Sequence, residues 1–453
     1  MPRTAPQTSQ PDRFSRAHTA RRRRSVLASL SLSASLGIAS TLAIPTGIAY
    51  AGDAQGTVSQ PTESIPGSND PHLMDTAPGD ATEPGTLTKV EPLNPAIAVP
   101  HAGASYRITY WTVNSQGQPA LSTAAVYLPQ GKAPEGGWPV MAWAHGTVGL
   151  NDVCAYSTNG PAAWERDWDY LNSWMDQGYA IVASDYVGLG TPGSHPYLDG
   201  KVEAHSVVDA IKASTTHFEE LAKKWFVAGQ SQGGGAAMFT ARYAEEYGGN
   251  SDGLSYRGAV ATGVPAYIED LLPVVFRPGV VPPGKLGEQN ALPTLTTYLL
   301  YIVSGLRTAH PEWDVNSYLT DYGKKWVDYA EGPICDTLST PSHPAPEGIT
   351  DVVKKENIRI EEVFSKPLDT IPGFKQALKD YMGIPESGYN QPVFIGQGGL
   401  DTDIFMPGAV TLAEKMKASG QPVTFKFYPD KDHSGTVNKS KEDSIPFVKN
   451  VMS

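Results

Sequence analysis

The chain of 453 residues carries 47 acidic and 35 basic side chains, which give it a formal net charge of −12 at pH 7. This acidic balance argues against binding to nucleic acid and against docking of a basic surface on anionic lipid. Only two cysteines are present, with no Cys-x-x-Cys pair and no cluster of histidine and cysteine, so a metal site is not expected.

The first 51 residues are typical of a secretory signal. Four arginines at 21–24 precede a mildly apolar stretch that ends in Ala49-Tyr50-Ala51, the small-x-small pattern of a cleavage site. Pro45 and several serines interrupt this stretch, which disfavours a membrane-spanning helix. Arg23-Arg24 also fits a twin-arginine signal, so two export routes stay open.

Removal of this segment would make the protein more acidic. It holds seven arginines and one aspartate, so the net charge would change from −12 to about −18. We therefore expect a soluble, secreted protein, with attachment to the cell envelope as the alternative. In such a protein Cys154 and Cys335 most simply form one disulfide, and two separate buried thiols are the alternative.

Residues 52–100 are rich in proline, threonine, serine, glycine and aspartate and nearly lack aromatic residues. This composition predicts an extended or poorly ordered leader.

Strand and helix patterns alternate in residues 101–265. The segments YRITYWTV and ALSTAAVYLP predict two strands joined by a turn. Four short apolar runs follow, WPVMAWAHG, YAIVASDYVG, WFVAGQS and YRGAVATGV, with amphipathic stretches near 163–177, 203–224 and 235–247. The alternation predicts an α/β fold with a mostly parallel sheet and helices on both faces.

The alternation stops at residues 266–385, which contain proline-rich loops, helical patterns and no clear core strand. It resumes in 386–453 with PVFIGQGGLD, a helical stretch and VTFKFYPDKDH. We expect 266–385 to be a helical insertion at the carboxyl edge of the sheet, above the crevice where such folds bind ligands.

The most informative motif is Gly229-Gln230-Ser231-Gln232-Gly233, which lies between a predicted strand and a predicted helix. This GxSxG context is typical of the nucleophile elbow of an α/β-hydrolase fold, where glycines leave room for a serine in a strained turn. Gly234 and Gly235 are expected to let the following helix pack closely.

Two phosphate-binding motifs do not fit this sequence. A P-loop requires Lys-Ser or Lys-Thr after its glycines, and neither follows Gly235. The GxGxxG pattern at 188–193 does not open a helix directly, because SHPYLDG intervenes. We therefore expect 188–193, and Asp185 before it, to form a structural loop that lines the site.

A serine nucleophile needs a base and an acid that orients the base. In this fold they follow the serine in the order acid, then histidine, each after a later strand. Asp401 follows PVFIGQGG, and His433 follows VTFKFYPDKD. Asp403 is the alternative acid, because 403–407 resembles a D-x-x-x-P turn.

Backbone N–H groups are needed to stabilise the oxyanion of the tetrahedral intermediate. One is expected from Gln232, directly after the nucleophile, and another from the loop at Gly146 and Thr147. His145 is expected to brace that loop and not to transfer protons.

These segments together resemble the secretory lipase family of α/β-hydrolases, the group that contains the lipase-A-type enzymes. The matching pieces are WAHGTVGLNDVCAYS, SDYVGLGTPGSHPYLDG, GQSQGGGAA, PVFIGQGGLD and YPDKDHSG. The resemblance implies ester hydrolysis by Ser231, Asp401 and His433, and a helical lid in the central insertion. It also implies that Cys154 and Cys335 form a disulfide.

The sequence departs from the family pattern in two places. It has CAYS at 154–157 where the family commonly has CAPS, and its acid loop after Asp401 is about two residues longer than usual. The first departure concerns the second oxyanion donor, and the second keeps Asp403 as a rival acid.

The sequence therefore predicts a secreted serine carboxylesterase or lipase that acts on a small-molecule or lipid ester through an acyl-enzyme. No cofactor is needed, and no nucleic-acid partner or membrane span after signal removal is expected. The alternatives are a secreted serine peptidase or acyltransferase on the same fold, and a non-catalytic surface-binding protein. The segment TYLLYIVSGL in the insertion either lines an acyl tunnel or packs the cap.

Overall fold

The structure is a computed structural model that describes residues 70–75, 82–280, 292–337, 343–404 and 406–453. The predicted signal at 1–51 and the leader as far as residue 69 lie outside these ranges, so their predictions are not addressed.

The described residues form a sheet of ten strands in the spatial order β1-β2-β3-β4-β6-β5-β7-β8-β9-β10. The strands are β1 (Met74–Asp75), β2 (Leu87–Pro92), β3 (Ala102–Val113), β4 (Pro119–Pro129), β5 (Trp138–Ala144), β6 (Ala180–Ser184), β7 (Leu221–Gln230), β8 (Ser255–Thr262), β9 (Val393–Gly398) and β10 (Val423–Tyr428). From β6 to β10 every neighbouring pair is parallel, whereas β1 to β4 and the β4–β6 pair are antiparallel. The carboxyl ends of the parallel strands therefore meet at one edge of the sheet.

Helices cover both faces of the sheet. The α-helices of the described residues are α1 (Tyr156–Asn159), α2 (Trp164–Met175), α3 (Gly200–His217), α4 (Gln232–Tyr243), α5 (Leu272–Val275), α6 (Leu292–Ala309), α7 (Asp321–Ala330), α8 (Ile349–Lys355), α9 (Phe374–Met382), α10 (Met406–Ala418), α11 (His433–Lys439) and α12 (Lys441–Val451). Alternate side chains of β5 belong to different clusters: Val140 packs with residues of α3, α4 and α10, and Met141 with residues of α2, α11 and α12. The predicted α/β fold is confirmed.

Residues between β8 and β9 form a separate helical region. In the described part of 263–392 no segment joins the sheet, and helices α5 to α9 have an apolar core of their own, which includes Leu300, Val303 and Phe364. This agrees with a helical insertion in this part of the chain, while the limits 266 and 385 remain a prediction.

The prediction of a poorly ordered leader does not hold for all of the segment 52–100. Part of the segment 52–100, predicted to be poorly ordered, forms β2, which pairs antiparallel with β3. Val90, Leu93 and Val99 in this segment are buried. The composition of the segment is polar on average, but these apolar side chains have a sheet edge to pack on, and strand pairing satisfies their backbone groups.

The disulfide between Cys154 and Cys335 is present and joins the loop after β5 to the helical region. No helix in the described ranges is both long and apolar enough to cross a membrane. Nor do the described residues contain a group of three His, Cys, Asp or Glu side chains arranged to hold a metal ion.

Candidate active site

Ser231 lies at the sharp turn between β7 and α4. Its backbone has φ 59° and ψ −123°, a conformation that is strained for a residue with a side chain. The N–H of Ser231 donates a hydrogen bond of 2.9 Å to the carbonyl oxygen of Thr262, the last residue of β8. The turn thus presents a serine at the carboxyl edge of the parallel strands, as expected for an elbow.

The surrounding glycines are required by the close approach of backbone segments. A Cβ on Gly229 would lie 2.0 Å from the carbonyl oxygen of Gly233, and one on Gly233 would lie 1.8 Å from that of Ala144. A Cβ on Gly234 would lie 2.6 Å from the oxygen of Thr262. Gly235 is less restricted, because its nearest neighbour would be a side-chain atom of Pro265 at 3.3 Å.

Asp401 and His433 form a hydrogen-bonded pair. The distance from Nδ1 of His433 to Oδ2 of Asp401 is 2.8 Å, and the Asp401 side chain is fully buried. His433 is the first residue of α11, and Asp432 caps this helix by accepting a hydrogen bond from the N–H of Gly435. The cap fixes the start of the helix and with it the position of the imidazole.

The carboxylate of Asp401 is held in its charged form. Burial alone would raise its pKa, but the hydrogen bond and the charge of His433 outweigh burial and lower it. The side-chain amide of Gln397 and the backbone N–H groups of Asp403 and Ile404 also donate to this carboxylate. Such an anion can fix the orientation of an imidazole and stabilise its protonated form.

Asp403, the rival acid, lies differently. Its backbone N–H donates a hydrogen bond of 3.0 Å to Oδ1 of Asp401, and the residue lines a cavity beside Ser231. Burial raises the pKa of Asp403, although the nearby His433 lowers it in part. It is Asp401, and not Asp403, whose side chain forms the hydrogen bond with His433.

The end of β8 contacts both Ser231 and His433. Thr262 accepts from the Ser231 N–H, and a Cβ on the next residue, Gly263, would lie 2.7 Å from Cε1 of His433. Gly263 has φ 59°, so it is needed both for its conformation and for the space that it leaves to the imidazole. Within the described residues, Nε2 of His433 is buried and has no hydrogen-bond partner.

The two predicted oxyanion segments also lie near Ser231. Gln232 is the first residue of α4, so its N–H is one of the unpaired donors at a helix N-terminus. A Cβ built on Gly146 would lie 3.6 Å from the Cβ of Ser231. Thr147 bonds through its hydroxyl to the phenol of Tyr197 at 2.7 Å.

His145 braces this loop. Its ring lies against Tyr156 and Tyr186, and Nδ1 donates to the carbonyl oxygen of Gly146 at 2.7 Å. Burial lowers the pKa of His145. A neutral, enclosed imidazole suits a structural role.

A narrow apolar cavity of about 80 Å³ opens beside Ser231. Polar residues of its lining include Ser231, Gln232, Tyr197 and Asp403. The apolar part comes mainly from α5 and α6 of the helical region: Leu272, Val275, Leu295, Tyr298, Leu299 and Ile302. Of the segment TYLLYIVSGL, Tyr298, Leu299 and Ile302 line the cavity. Leu299 and Ile302 also belong to the apolar core of the helical region, together with Leu300 and Val303, which are not part of the lining.

Part of the chain matches the model of a known protein family. Residues 164–275, which include the elbow, match the family model described as secretory lipase. The resemblance to secretory lipases is confirmed. This match supports the prediction of a hydrolase of the lipase or esterase class, and the family's name suggests secretion. The comparison with curated proteins gave no match.

Solved structures share the fold. Candida antarctica lipase A is similar with a TM-score of 0.64 and 19% identity, over 85% of this chain and 86% of that one. The rice cell wall degrading esterase of Xanthomonas oryzae has a TM-score of 0.57 and 20% identity, over 81% and 98% of the two chains. A putative hydrolase from Legionella pneumophila has a TM-score of 0.61 and 17% identity, over 81% and 98%. At such low identity these likenesses establish the α/β-hydrolase fold alone.

Sequence reasoning missed the residues that support the site from behind. Gly263 could have been noticed as a glycine directly after the strand that follows the elbow. His195 and Glu203, which bond to the side chain of Gln232, carry no sequence signal of their own, because the loop and α3 reach α4 only through the tertiary fold.

Proposed function

We propose that the protein is a secreted serine carboxylic-ester hydrolase in which Ser231 is the nucleophile, His433 the base and Asp401 the orienting acid. The observation that carries the proposal is the Asp401–His433 hydrogen bond at the same sheet edge as a serine in a strained elbow. The secretory lipase match over 164–275 supports the same reaction class.

The hydrogen bond to Asp401 assigns the role of each imidazole nitrogen. Because Nδ1 of His433 donates to the carboxylate, Nε2 is the nitrogen that accepts a proton. In the proposed reaction Nε2 takes the hydroxyl proton of Ser231 as Oγ attacks the ester carbonyl, and then delivers it to the leaving alcohol. A water molecule, deprotonated by the same nitrogen, hydrolyses the acyl-enzyme and releases the acid and free Ser231.

The negative charge on the tetrahedral intermediate needs donors that are already in place. We assign them to the backbone N–H of Gln232 and to the Gly146–Thr147 segment, which lies against Ser231. The positive end of α4 adds to this stabilisation, because the helix begins directly after the nucleophile.

The acyl group is proposed to enter the apolar cavity formed by α5 and α6. None of the described residues that line it is basic, Asp403 is its one side chain with a formal charge, and the rest of the lining is mainly apolar, so it suits an alkyl chain and has no cation to bind a peptide carboxylate. This observation favours an ester hydrolase over a serine peptidase. The presence of all three triad residues disfavours a non-catalytic binding protein.

Secretion into the extracellular space rests on the N-terminal signal pattern and on the family's name. Ester substrates, small or lipid, would then be met outside the cell, and the disulfide between Cys154 and Cys335 suits an oxidising compartment.

The test is hydrolysis of p-nitrophenyl esters of rising chain length and of an emulsified triglyceride by the secreted protein. We expect turnover that depends on Ser231, with no loss after treatment with a metal chelator. A matched Ser434→Ala variant, which changes the half-buried neighbour of His433 and keeps the triad, controls for the substitution. Equal activity of wild type and Ser231→Ala would refute the proposal, and activity confined to acetate would refute a lipase.

A further inference from the structure

A buried polar cluster supports Gln232, the residue directly after the nucleophile. Its side-chain Nε2 lies 2.8 Å from Oε1 of Glu203 and 2.8 Å from Nε2 of His195. All three side chains are almost fully buried, with Glu203 and His195 each 1% exposed. Glu203 belongs to α3, and His195 to the loop that precedes it, so the cluster joins the start of α4 to two other parts of the core.

The hydrogen-bond partners fix the orientation of the Gln232 amide. Nδ1 of His195 lies 2.9 Å from the carbonyl oxygen of Val187, which only accepts, so Nδ1 carries the proton. Burial lowers the pKa of His195 to about 4, so its Nε2 has no proton at neutral pH and must accept. The amide therefore presents its NH₂ group, and the two hydrogens go to His195 and Glu203.

Glu203 serves this cluster as an acceptor. Burial raises its pKa to about 8, although the hydrogen bond from Gln232 lowers it in part. In either protonation state an oxygen of the carboxyl group accepts from Gln232. No step of the proposed reaction uses Glu203 or His195, yet burying such groups is costly unless their bonds are satisfied.

We propose that Glu203 and His195 are positioning residues that hold the backbone N–H of Gln232 where the oxyanion forms. Both hydrogens of the Gln232 side-chain amide form hydrogen bonds, one with His195 and one with Glu203. These bonds hold the first residue of α4 in place and leave its main-chain N–H available to the oxyanion. The inference rests on the proposed function, because it concerns stabilisation of the ester-hydrolysis intermediate.

A positioning role predicts an effect on the transition state and not on substrate binding. Glu203→Leu removes one acceptor, and Gln232→Met removes both side-chain bonds while keeping the backbone donor. For each we expect kcat to fall about tenfold, less than the hundredfold or more that follows deletion of an oxyanion donor. KM for p-nitrophenyl butyrate should change less than about twofold.

Further variants separate positioning from general damage. Glu203→Gln keeps an acceptor of the same shape and should restore most of the kcat lost in Glu203→Leu. Val208 lies in α3, as Glu203 does, and packs in the apolar core. Val208→Ala should therefore lower the melting temperature without lowering kcat. The inhibition constant of a trifluoromethyl ketone, which forms an oxyanion on the nucleophile, should weaken in parallel with kcat in Glu203→Leu and Gln232→Met.

The decisive comparison is a double-mutant cycle with Glu203→Leu and Gln232→Met. Because both changes remove the same hydrogen bond, the double variant should lose little more than Gln232→Met alone. The inference would be overturned if the double variant lost kcat by the product of the two single losses, if kcat did not change in the single variants, or if only KM changed. If Glu203→Leu does not fold, Gln232→Met with the ketone decides the matter. An inactive wild type would instead refute the proposed function itself.

Discussion

The sheet core and the helical region between β8 and β9 contribute different things to the site. The core places Ser231, Asp401 and His433 after three of its strands, where the backbone is so closely packed that a Cβ on Gly233 would collide with Ala144. The helical region contributes the apolar walls of the cavity through α5 and α6. Changes in the core should therefore alter the chemical step, and changes in the helical region should alter which acyl group is accepted.

The largest effect is expected from the acid in the core. Asp401→Asn would remove the charge that fixes His433, and kcat should fall about 10⁴-fold, the loss seen when an orienting aspartate becomes asparagine in a serine triad. Asp403→Asn is the matched control, because its side chain lines the cavity without bonding His433, and kcat should fall less than about tenfold. Steady-state kinetics check both, and a larger loss for Asp403→Asn would reverse the assignment.

The link between the two regions should matter for stability. The disulfide from Cys154 to Cys335 closes a loop with a sequence separation of 181 residues. Replacing both cysteines with serine should lower the free energy of unfolding by about 2–5 kcal/mol. Denaturant unfolding of wild type and variant measures this. If reduction of the wild type lowers the free energy of unfolding by the same amount, the loss comes from the disulfide bond. An unchanged unfolding midpoint in both the variant and the reduced wild type would show that the bond does not stabilise the fold.

Buried carboxyl groups in the two regions should make stability depend on pH. Burial raises the pKa of Glu203 in the core to about 8 and that of Glu269 near the helical region to about 7, from 4.5. Between 4.5 and the raised value the folded protein keeps a proton that the unfolded chain releases. The free energy of unfolding should therefore fall as pH rises, by at most about 1.4 kcal/mol per pH unit for each group.

Unfolding at a series of pH values from about 5 to 8 tests this with Glu203→Gln and Glu269→Gln. Each variant should show a flatter pH dependence than the wild type. The slope of Glu203→Gln should still differ from that of the wild type above pH 7, whereas the slope of Glu269→Gln should differ only up to about pH 7. Equal slopes in all three proteins would contradict the raised pKa values.

The smallest effect should be one of selectivity, in the helical region. Val275 lines the cavity, whereas its neighbour Val274 in α5 is 56% exposed. Val275→Trp should shorten the cavity and reduce kcat/KM for a dodecanoate ester about tenfold relative to acetate, since about 1.4 kcal/mol of chain burial corresponds to that factor. Val274→Trp should leave the ratio unchanged. Equal ratios in both variants would show that the acyl chain lies elsewhere.

The same division explains how far the sequence could be interpreted. The positions of Ser231, Asp401 and His433 at one edge of the sheet were predictable, because the ends of parallel strands converge there and position after a strand therefore indicates proximity. The strand β2 was missed, since its pairing with β1 and β3 is not visible in a polar composition. The helix predicted to run to residue 224 ends at His217. Leu221 pairs with Trp138, so β7 begins at Leu221 and takes up the residues predicted as the end of the helix.

The lining of the cavity and the cluster behind Gln232 were beyond sequence reasoning. Apolar residues of α6 follow a helical period, but the period alone does not show that Ile302 lines the cavity while its neighbour Val303 does not, since both belong to the core of the helical region. Glu203 and Gln232 are 29 residues apart, and the packing of α3 on α4 brings them together.

Covalent labelling tests the central claim most directly. The folded wild-type protein should react with a fluorophosphonate probe and carry a single adduct, which peptide mass spectrometry should locate on Ser231. His433→Asn should react far more slowly, and Ser231→Ala should not react at all. A folded wild type that resists the probe, or an equal adduct on another residue in Ser231→Ala, would contradict the account.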